Sequence, residues 1–166
     1  AAVVVMLISA VVCSVASVPD VREGGHCLRL AAVEHLQEIG VDRAAVAAHA
    51  AAIQSSDEAV VTSGGYERKL EVNGKTYCHI IDPQTGYPVD NGTVSVTVIS
   101  DSGFRSDALS TALFVMGREK AAEYWRQAGD FDFILLDADN NLWMTDGAKE
   151  SFQLAKGFDF TINLIE

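Results

Sequence analysis

The chain has 166 residues, and 49% of them are hydrophobic, which is enough to bury one substantial core and indicates a single domain. Its formal net charge is −11, so the surface is acidic overall. That balance argues against nucleic acid as a partner, because binding to phosphate backbones depends on Lys and Arg side chains.

The first segment, residues 1–19, contains no charged residue. Its length lies near the lower end of the roughly 17 to 25 residues that span a membrane. It also resembles the apolar stretch of a secretory signal, with Ser14-Val15-Ala16 as a small-residue cleavage site. A buried strand or helix is the alternative, which the run Val3-Val4-Val5 permits. Since the apolar residues show no amphipathic period, we favour a signal or anchor and therefore membrane association through the N-terminus.

Residues 20–56 are predicted to be mainly helical. The apolar positions from Leu28 to Ile39 form a helical stripe, which Gly40 ends. Asp42 is then a suitable N-cap for a second, alanine-rich helix from Arg43 to Ile53. Nothing in this part of the chain predicts chemistry by itself.

From residue 57 onwards the sequence is typical of short strands and turns. Ala59 to Thr62 is predicted to be a buried strand. A hairpin is expected around Asn73-Gly74, because Asn and Gly accept the positive φ angles of a tight turn. Residues 80–91 contain two prolines and a glycine, so they are predicted to be a loop. Val94 to Ile99 alternates Val with Ser and Thr, which indicates a strand with two unlike faces.

Helices are predicted from Ser106 to Met116 and from Arg118 to Ala128. Residues 131–136 and 142–145 are expected to form another hairpin, and the tail from Gly157 to Ile165 a final strand. Strand pairs mixed with helices, without a regular strand–helix–strand alternation, predict an α+β fold.

A group of oxygen-bearing side chains in the first of these helices suggests a metal site. Asp107, Ser110 and Thr111 stand at positions i, i+3 and i+4, which stack on one helix face. Carboxylate and hydroxyl oxygens suit Mg²⁺, which binds one or two carboxylates together with water and substrate phosphate. The alternative is that Ser106 caps the helix and Asp107 only complements the dipole in its first turn.

A second group surrounds His79, which ends a predicted strand and enters the proline-braced segment from Ile80 to Pro88. A histidine placed there can face a cleft and act as a base, an orienting group or a phosphate partner. Turn chemistry is the alternative for the rest of the segment. Asp82 in particular is expected to make a local turn bond rather than to take part in catalysis.

A third group is the segment Ser63-Gly64-Gly65-Tyr66-Glu67-Arg68. Two glycines permit close approach of the backbone to a ligand, and exposed amides there suit an anion. Arg68 is able to pair with a phosphate or, equally well, with Glu67 or another carboxylate.

Taken together, the three groups resemble a known family in order and spacing. They are similar to the C-terminal half of the ApbE-type FAD:protein FMN transferases over roughly Asp57 to Thr145, and the Asp-Pro-x-Thr-Gly segment from Asp82 is the most specific part. The resemblance implies an α+β fold related to the T-fold, with mixed and antiparallel sheets packed against helices. Residues 57–166 would form this flavin- and metal-binding domain, truncated on the N-terminal side, with 20–56 as a remnant of the N-terminal part.

The resemblance also implies an activity. Members of this family use Mg²⁺ to transfer FMN from FAD to a Thr or Ser hydroxyl of a target protein, and they release AMP. By the resemblance, Asp107 and Thr111 are side-chain metal ligands, joined by the main-chain carbonyl of Ser110, and His79 is the catalytic residue near the reacting phosphate. The remaining matched residues would bind the flavin together with His79: Ser63, Gly64, Tyr66, Glu67 and Arg68.

Partners and location follow from the same resemblance. FAD is the expected substrate, and the expected acceptors are electron-transport flavoproteins in the bacterial periplasm or on the outer side of the inner membrane. Two alternatives stay open. One is a non-catalytic FAD-binding remnant, because His49-Ala50-Ala51 stands where the family has a glycine pair. The other is a Mg²⁺-dependent FAD pyrophosphatase, in which water replaces the protein hydroxyl.

Overall fold

The computed structural model describes residues 2–4, 51–55, 58–66, 69–154 and 158–166. These residues belong to two compact units. The first unit contains residues 2–4, 51–55, 151–154 and 158, and the second contains 58–66, 69–150 and 159–166. Among the described residues, no helix combines the length and the apolar character that crossing a membrane requires.

The first unit has a three-stranded antiparallel sheet in the order β1-β2-β9. Its strands are β1 (Ala2–Val4), β2 (Ala51–Ser55) and β9 (Phe152–Leu154). The predicted helix from Arg43 to Ile53 is therefore wrong at its end, because Ala51 to Ile53 pairs with β9 on one side and Ile53 also with β1 on the other. Pairing on both edges outweighs the modest helix preference of alanine.

Much of what the sequence predicts for the N-terminal third lies outside the described residues. This applies to the signal or anchor segment beyond residue 4 and to the helical stripe from Leu28 to Ile39. Both stay predictions.

The second unit is built on a five-stranded mixed sheet in the order β10-β8-β7-β6-β3. Neighbouring strands run antiparallel except β8 and β10, which are parallel. The five strands are β3 (Ala59–Gly64), β6 (Thr93–Ser100), β7 (Asp132–Asp137), β8 (Asn141–Met144) and β10 (Thr161–Leu164).

The remaining elements are the helices α1 (Gly103–Ala128) and α2 (Asp146–Ser151) and the hairpin of β4 (Lys69–Val72) and β5 (Lys75–Cys78). The predicted α+β fold, the hairpin at Asn73-Gly74 and the final strand are confirmed.

The core of this unit lies between the sheet and α1. Val96 and Val98 of β6 stand opposite Leu135 and Phe133 of β7, so their side chains share one face of the sheet. That face is buried against three residues of α1, and burial of each such side chain contributes roughly 1.5 to 3 kcal/mol. These residues are Leu109, Leu113 and Phe114.

Strand β6 has the two unlike faces that its sequence predicts, although neither is open to solvent. Thr97 is only 1% exposed, and its hydroxyl lies 2.8 Å from the hydroxyl of Thr62 on β3. The pairing of two hydroxyls explains how polar side chains are accommodated on a buried face.

Helix α1 is bent at Gly117, which separates the two predicted helices. Gly117 has φ 73° and ψ 172°, a conformation essentially restricted to glycine. The break frees carbonyl groups of the preceding turn, and the side-chain amide of Asn91 donates to two of them, Phe114 O at 2.9 Å and Val115 O at 3.2 Å. Asn91 therefore acts as the C-terminal cap of the first half of α1.

The start of α1 differs from the prediction. The helix begins at Gly103, and the Ser102 hydroxyl caps it by accepting from the amide of Arg105 at 3.4 Å. Ser106 is fully buried and bonds to the Ser100 hydroxyl at 2.8 Å, so it is not the cap. Three serines stand near this helix start in the sequence, and only the tertiary packing selects among them.

Asp137 organises the turn between β7 and β8. Its carboxylate accepts hydrogen bonds from Asp139 N at 3.0 Å, Asn141 N at 2.9 Å and Trp143 Nε1 at 2.9 Å. Partial burial raises the pKa of this carboxyl, but the hydrogen bonds to its charged form outweigh that effect and leave the pKa below its ordinary value.

Replacing Gly117 with Ala should lower the free energy of unfolding by about 1 to 3 kcal/mol, because a residue with a Cβ is strained in this backbone conformation. The added Cβ would also lie 3.1 Å from Asn91 Nδ2. Gly129→Ala is the matched control. Gly129 also has positive φ, but its ψ of 10° is accessible to other residues and an added Cβ meets nothing within 4 Å. Urea unfolding should show the larger loss for Gly117→Ala, and equal losses would contradict the argument.

The lowered pKa of Asp137 predicts a pH dependence of stability. A carboxyl with a depressed folded-state pKa stabilises the protein above the unfolded pKa of about 3.9, and this contribution is lost as the pH falls through the folded value. Asp137→Asn should therefore flatten the loss of unfolding free energy between about pH 5 and pH 3. Asp139→Asn is the matched control, because it removes the same charge from the same turn and retains the main-chain amide that donates to Asp137. Urea unfolding at each pH measures both.

Candidate metal and flavin site

The end of strand β3 lies against the first half of α1. Ser63 stands opposite Val96 in the sheet, so its side chain is on the face that packs on the helix. Its hydroxyl lies 2.8 Å from Ser110 Oγ and 2.9 Å from Thr111 Oγ1. The structure therefore joins the Ser63 segment directly to the group proposed to hold a metal.

Asp107 and Thr111 lie one helical turn apart and are both exposed. The helix begins four residues before Asp107, and its first turn contains no acidic residue. The alternative explanation of Asp107 as a first-turn partner of the helix dipole is therefore wrong. Within the described part of the chain, its carboxylate makes no hydrogen bond or ion pair, so it is available to a ligand.

The Ser110 side chain is turned into the protein. It is fully buried, and its hydroxyl donates to the main-chain carbonyl of Asp107 at 2.9 Å. With Ser63 as its second partner, the hydroxyl has its hydrogen-bonding capacity largely used within the protein. This arrangement agrees with a metal contact through the main-chain carbonyl of Ser110 rather than through its side chain.

The two glycines after Ser63 serve close packing. A Cβ at Gly64 would come within 2.7 Å of the Tyr66 ring, and a Cβ at Gly65 within 2.9 Å of Phe114 Cζ. The amide of Gly65 donates to Val94 O at 3.0 Å. The expectation that exposed amides here bind an anion is therefore wrong for Gly65, because the sheet already uses that donor.

Gly65 also lies close to strand β5, which ends one residue before His79. A Cβ at Gly65 would lie 3.4 Å from Cβ of Cys78, the last residue of β5, and Cys78 packs against the same core as Phe114. His79 follows directly and is exposed. The structure thus joins the Ser63 and Asp107 groups by direct hydrogen bonds, and it places Cys78, the residue before His79, against the same core as Phe114.

The loop after His79 is held by its own turn. Asp82 Oδ1 accepts from the amide of Gln84 at 2.8 Å, and Asp82 O accepts from the amide of Gly86 at 2.8 Å. The predicted local role of Asp82 is confirmed, and the Thr85 hydroxyl adds a bond from the amide of Tyr87 at 3.3 Å. The Asp-Pro-x-Thr-Gly segment is therefore a turn held by local hydrogen bonds, directly after His79 and Ile80.

Glu67 and Arg68 lie outside the described residues, so their proposed contact with flavin stays a prediction. The described part of the chain assembles no cluster of three or more His, Cys, Asp or Glu side chains for a metal ion. A metal held here would have one carboxylate, one hydroxyl and main-chain oxygen as protein ligands. Such a donor set fits Mg²⁺, which keeps several waters and takes substrate phosphate, and does not fit zinc.

Ser63 has a role that its sequence context does not reveal. The sequence suggests a flavin contact, whereas the structure shows a bond across 47 residues to Ser110. No periodicity links a strand residue to a helix residue so far along the chain. The internal cap Asn91 was not predicted for the same reason, since it bonds to residues 23 and 24 positions further along the chain.

Comparison with known proteins supports the resemblance to the ApbE-type transferases. The model of the ApbE family matches residues 22–135, so the family pattern begins well before the motifs that start at Asp57. The FAD:protein FMN transferase of Klebsiella pneumoniae is 45% identical over 85 residues, which cover 51% of this chain and 27% of that protein. The enzyme of the same name from Escherichia coli K12 is 43% identical over 79 residues, covering 48% and 22%.

Solved structures agree. The ApbE protein of Thermotoga maritima superposes with a TM-score of 0.55 at 36% identity, covering 60% of this chain and 33% of that one. The apo form of the flavinyl transferase ApbE of Pseudomonas stutzeri gives a TM-score of 0.51 at 32% identity, covering 60% and 32%. The chain thus spans about a quarter of the curated relatives and about a third of the solved chains. Since the family pattern covers well over half of its own length, the chain belongs to the ApbE family.

Proposed function

We propose that this chain carries the metal-binding part of an FAD:protein FMN transferase. The observation that supports this most directly is the exposed carboxylate of Asp107, which has no partner among the described residues and lies one turn before Thr111, whose hydroxyl is bonded to Ser63. Relatives that share this region are named for transfer of FMN from FAD to protein. Mg²⁺ dependence, a Thr or Ser acceptor and release of AMP are parts of the proposal.

In the proposed reaction, Asp107 and Thr111 hold the metal through side-chain oxygens, and Ser110 contributes its main-chain carbonyl. When bound, Mg²⁺ would neutralise charge on the pyrophosphate of FAD and stabilise the charge that develops on transfer. Such a cation also explains how a chain with a net charge of −11 could accept an anionic substrate.

His79 is proposed to move the proton. The acceptor hydroxyl oxygen forms a bond to the phosphorus of the FMN half, and the bond from that phosphorus to the oxygen bridging to AMP breaks. The imidazole of His79 accepts the proton of the attacking hydroxyl, and AMP leaves with the bridging oxygen. The flavin itself would lie against Ser63, Gly64 and Tyr66, with Glu67 and Arg68 at the same wall.

Electron-transport flavoproteins in the bacterial periplasm, or on the outer side of the inner membrane, are the proposed acceptors. The names of the relatives support a protein acceptor in general. The exported or membrane-associated location rests on the apolar character of segment 1–19, for which the pairing of Ala2–Val4 as strand β1 is the competing explanation.

The metal ligands are tested by calorimetry with MgCl₂, with and without FAD. Asp107→Asn should lower Mg²⁺ affinity by more than about 10-fold, and Thr111→Val should lower it by a smaller factor. Asp101→Asn is the matched control, because it removes the same charge from an exposed residue just before α1. Loss of affinity that is equal in all three variants would indicate general electrostatics and contradict the site.

The activity is tested by incubating the chain with FAD, Mg²⁺ and an acceptor flavoprotein domain. Mass spectrometry should show the acceptor heavier by one FMN, with AMP released in equal amount. His79→Gln should lower the rate of labelling while leaving Mg²⁺ affinity unchanged, because it removes the proton acceptor and no metal ligand. Free FMN without labelled acceptor would instead identify a pyrophosphatase. FAD binding without either product would identify a non-catalytic flavin-binding protein.

A further inference from the structure

Four oxygen atoms form a continuous hydrogen-bonded row between β3 and α1. Thr111 Oγ1 lies 2.9 Å from Ser63 Oγ, Ser63 Oγ lies 2.8 Å from Ser110 Oγ, and Ser110 Oγ lies 2.9 Å from the main-chain oxygen of Asp107. The row begins at one proposed metal ligand and ends on the backbone of the other. We call it the hydroxyl row.

The row has only one consistent direction. The carbonyl of Asp107 can only accept, so Ser110 spends its single hydroxyl proton on that bond. Ser63 must then donate to Ser110, and this uses its own single proton. Thr111 must therefore donate to Ser63, because Ser63 has no proton left to give.

This direction determines what Thr111 offers to a ligand. Its proton is turned towards Ser63, so the exposed side of its oxygen presents lone pairs alone. A cation binds lone pairs and is repelled by a hydroxyl proton. A hydroxyl already held in this sense needs no rotation when the cation arrives, so the site is preorganised.

We infer that Ser63 and Ser110 are positioning residues that hold Thr111 as a lone-pair donor towards a divalent cation. The inference rests on the proposed function, since it concerns the metal of that same site. Neither serine hydroxyl needs to touch the cation. They act through Thr111, as outer partners commonly orient metal ligands.

A purely structural role is the competing explanation. The same bonds fasten β3 to α1, and their loss would cost stability whatever Thr111 does. Thr62 offers a matched control. It directly precedes Ser63 on β3, so its side chain lies on the opposite face of the sheet, and its hydroxyl lies 2.8 Å from that of Thr97 on β6. Thr62→Val removes a bond of the same kind without affecting the hydroxyl row.

The decisive variant is Ser110→Ala. It leaves Thr111, Ser63 and the main-chain carbonyl of residue 110 in place, but it frees the proton of Ser63 to turn towards Thr111. The direction of the row is then no longer determined. Mg²⁺ affinity, measured by calorimetry, should fall about 3- to 10-fold in both Ser110→Ala and Ser63→Ala. Ser63→Thr, which retains the hydroxyl, should keep the wild-type affinity.

Coupling to Thr111 separates positioning from fastening. In a Thr111→Val background, Ser63→Ala and Ser110→Ala should cause no further loss of Mg²⁺ affinity, because the group they orient is gone. Thr62→Val should lower the urea midpoint as the serine variants do and leave Mg²⁺ affinity unchanged. A full additional loss in the Thr111→Val background, or wild-type affinity in both serine variants, would overturn the inference.

These outcomes also separate the inference from the proposed function. If Asp107→Asn and Thr111→Val weaken Mg²⁺ binding while both serine variants bind as the wild type does, the metal site stands and the positioning role is wrong. If the wild-type chain binds neither Mg²⁺ nor Mn²⁺, with or without FAD, the proposed metal site itself is wrong and the inference falls with it.

Discussion

The contact between the end of β3 and the first half of α1 is the constraint on which the candidate site depends. Gly65 makes it feasible, because a side chain there would collide with Phe114 of α1, whereas one at Gly64 would displace the ring of Tyr66 in the same segment. Only at this short separation can Ser63 reach hydroxyls of the helix at 2.8 and 2.9 Å. Packing of a strand on a helix therefore sets the hydrogen bonding of residues that the sequence suggests for chemistry.

The charged residues near this contact differ from those elsewhere in the described part of the chain. Several cations in the described residues are engaged with carboxylates elsewhere, as in the pairs Lys75–Asp90, Arg105–Asp130 and Arg118–Glu119. Asp107, by contrast, has an exposed carboxylate for which the described residues provide no partner. Exposed carboxylates are common and need no explanation alone. An exposed carboxylate beside a hydroxyl whose proton is directed inward is more specific, because both groups then offer only lone pairs.

Local patterns in the sequence predicted much of the fold and singled out Ser63, Ser110 and Thr111, which the structure brings together. The Asn73-Gly74 hairpin and the break at Gly117 were predictable because each depends on backbone angles that few residues adopt. The helix start was not, since Ser102, Ser100 and Ser106 are chemically equivalent until packing buries two of them. Strand β2 was also mistaken, because Ala51 and Ala52 suit a helix and become a strand only through partners distant in sequence.

The Ser63-Gly64-Gly65 segment also shows the difference between what a local pattern suggests and what tertiary packing determines. Read as a local motif, two glycines suggest a cradle of free amides for an anion. In the fold, the Gly65 amide is bonded to Val94, and Gly65 instead allows the close packing at which a hydroxyl on β3 meets two hydroxyls on α1. A helix carrying Asp107 and Thr111 alone would present a threonine hydroxyl free to turn its proton either way. The strand removes that freedom, so the orientation of the Thr111 hydroxyl, on which its proposed role as a metal ligand depends, comes from the tertiary structure and not from the helix sequence.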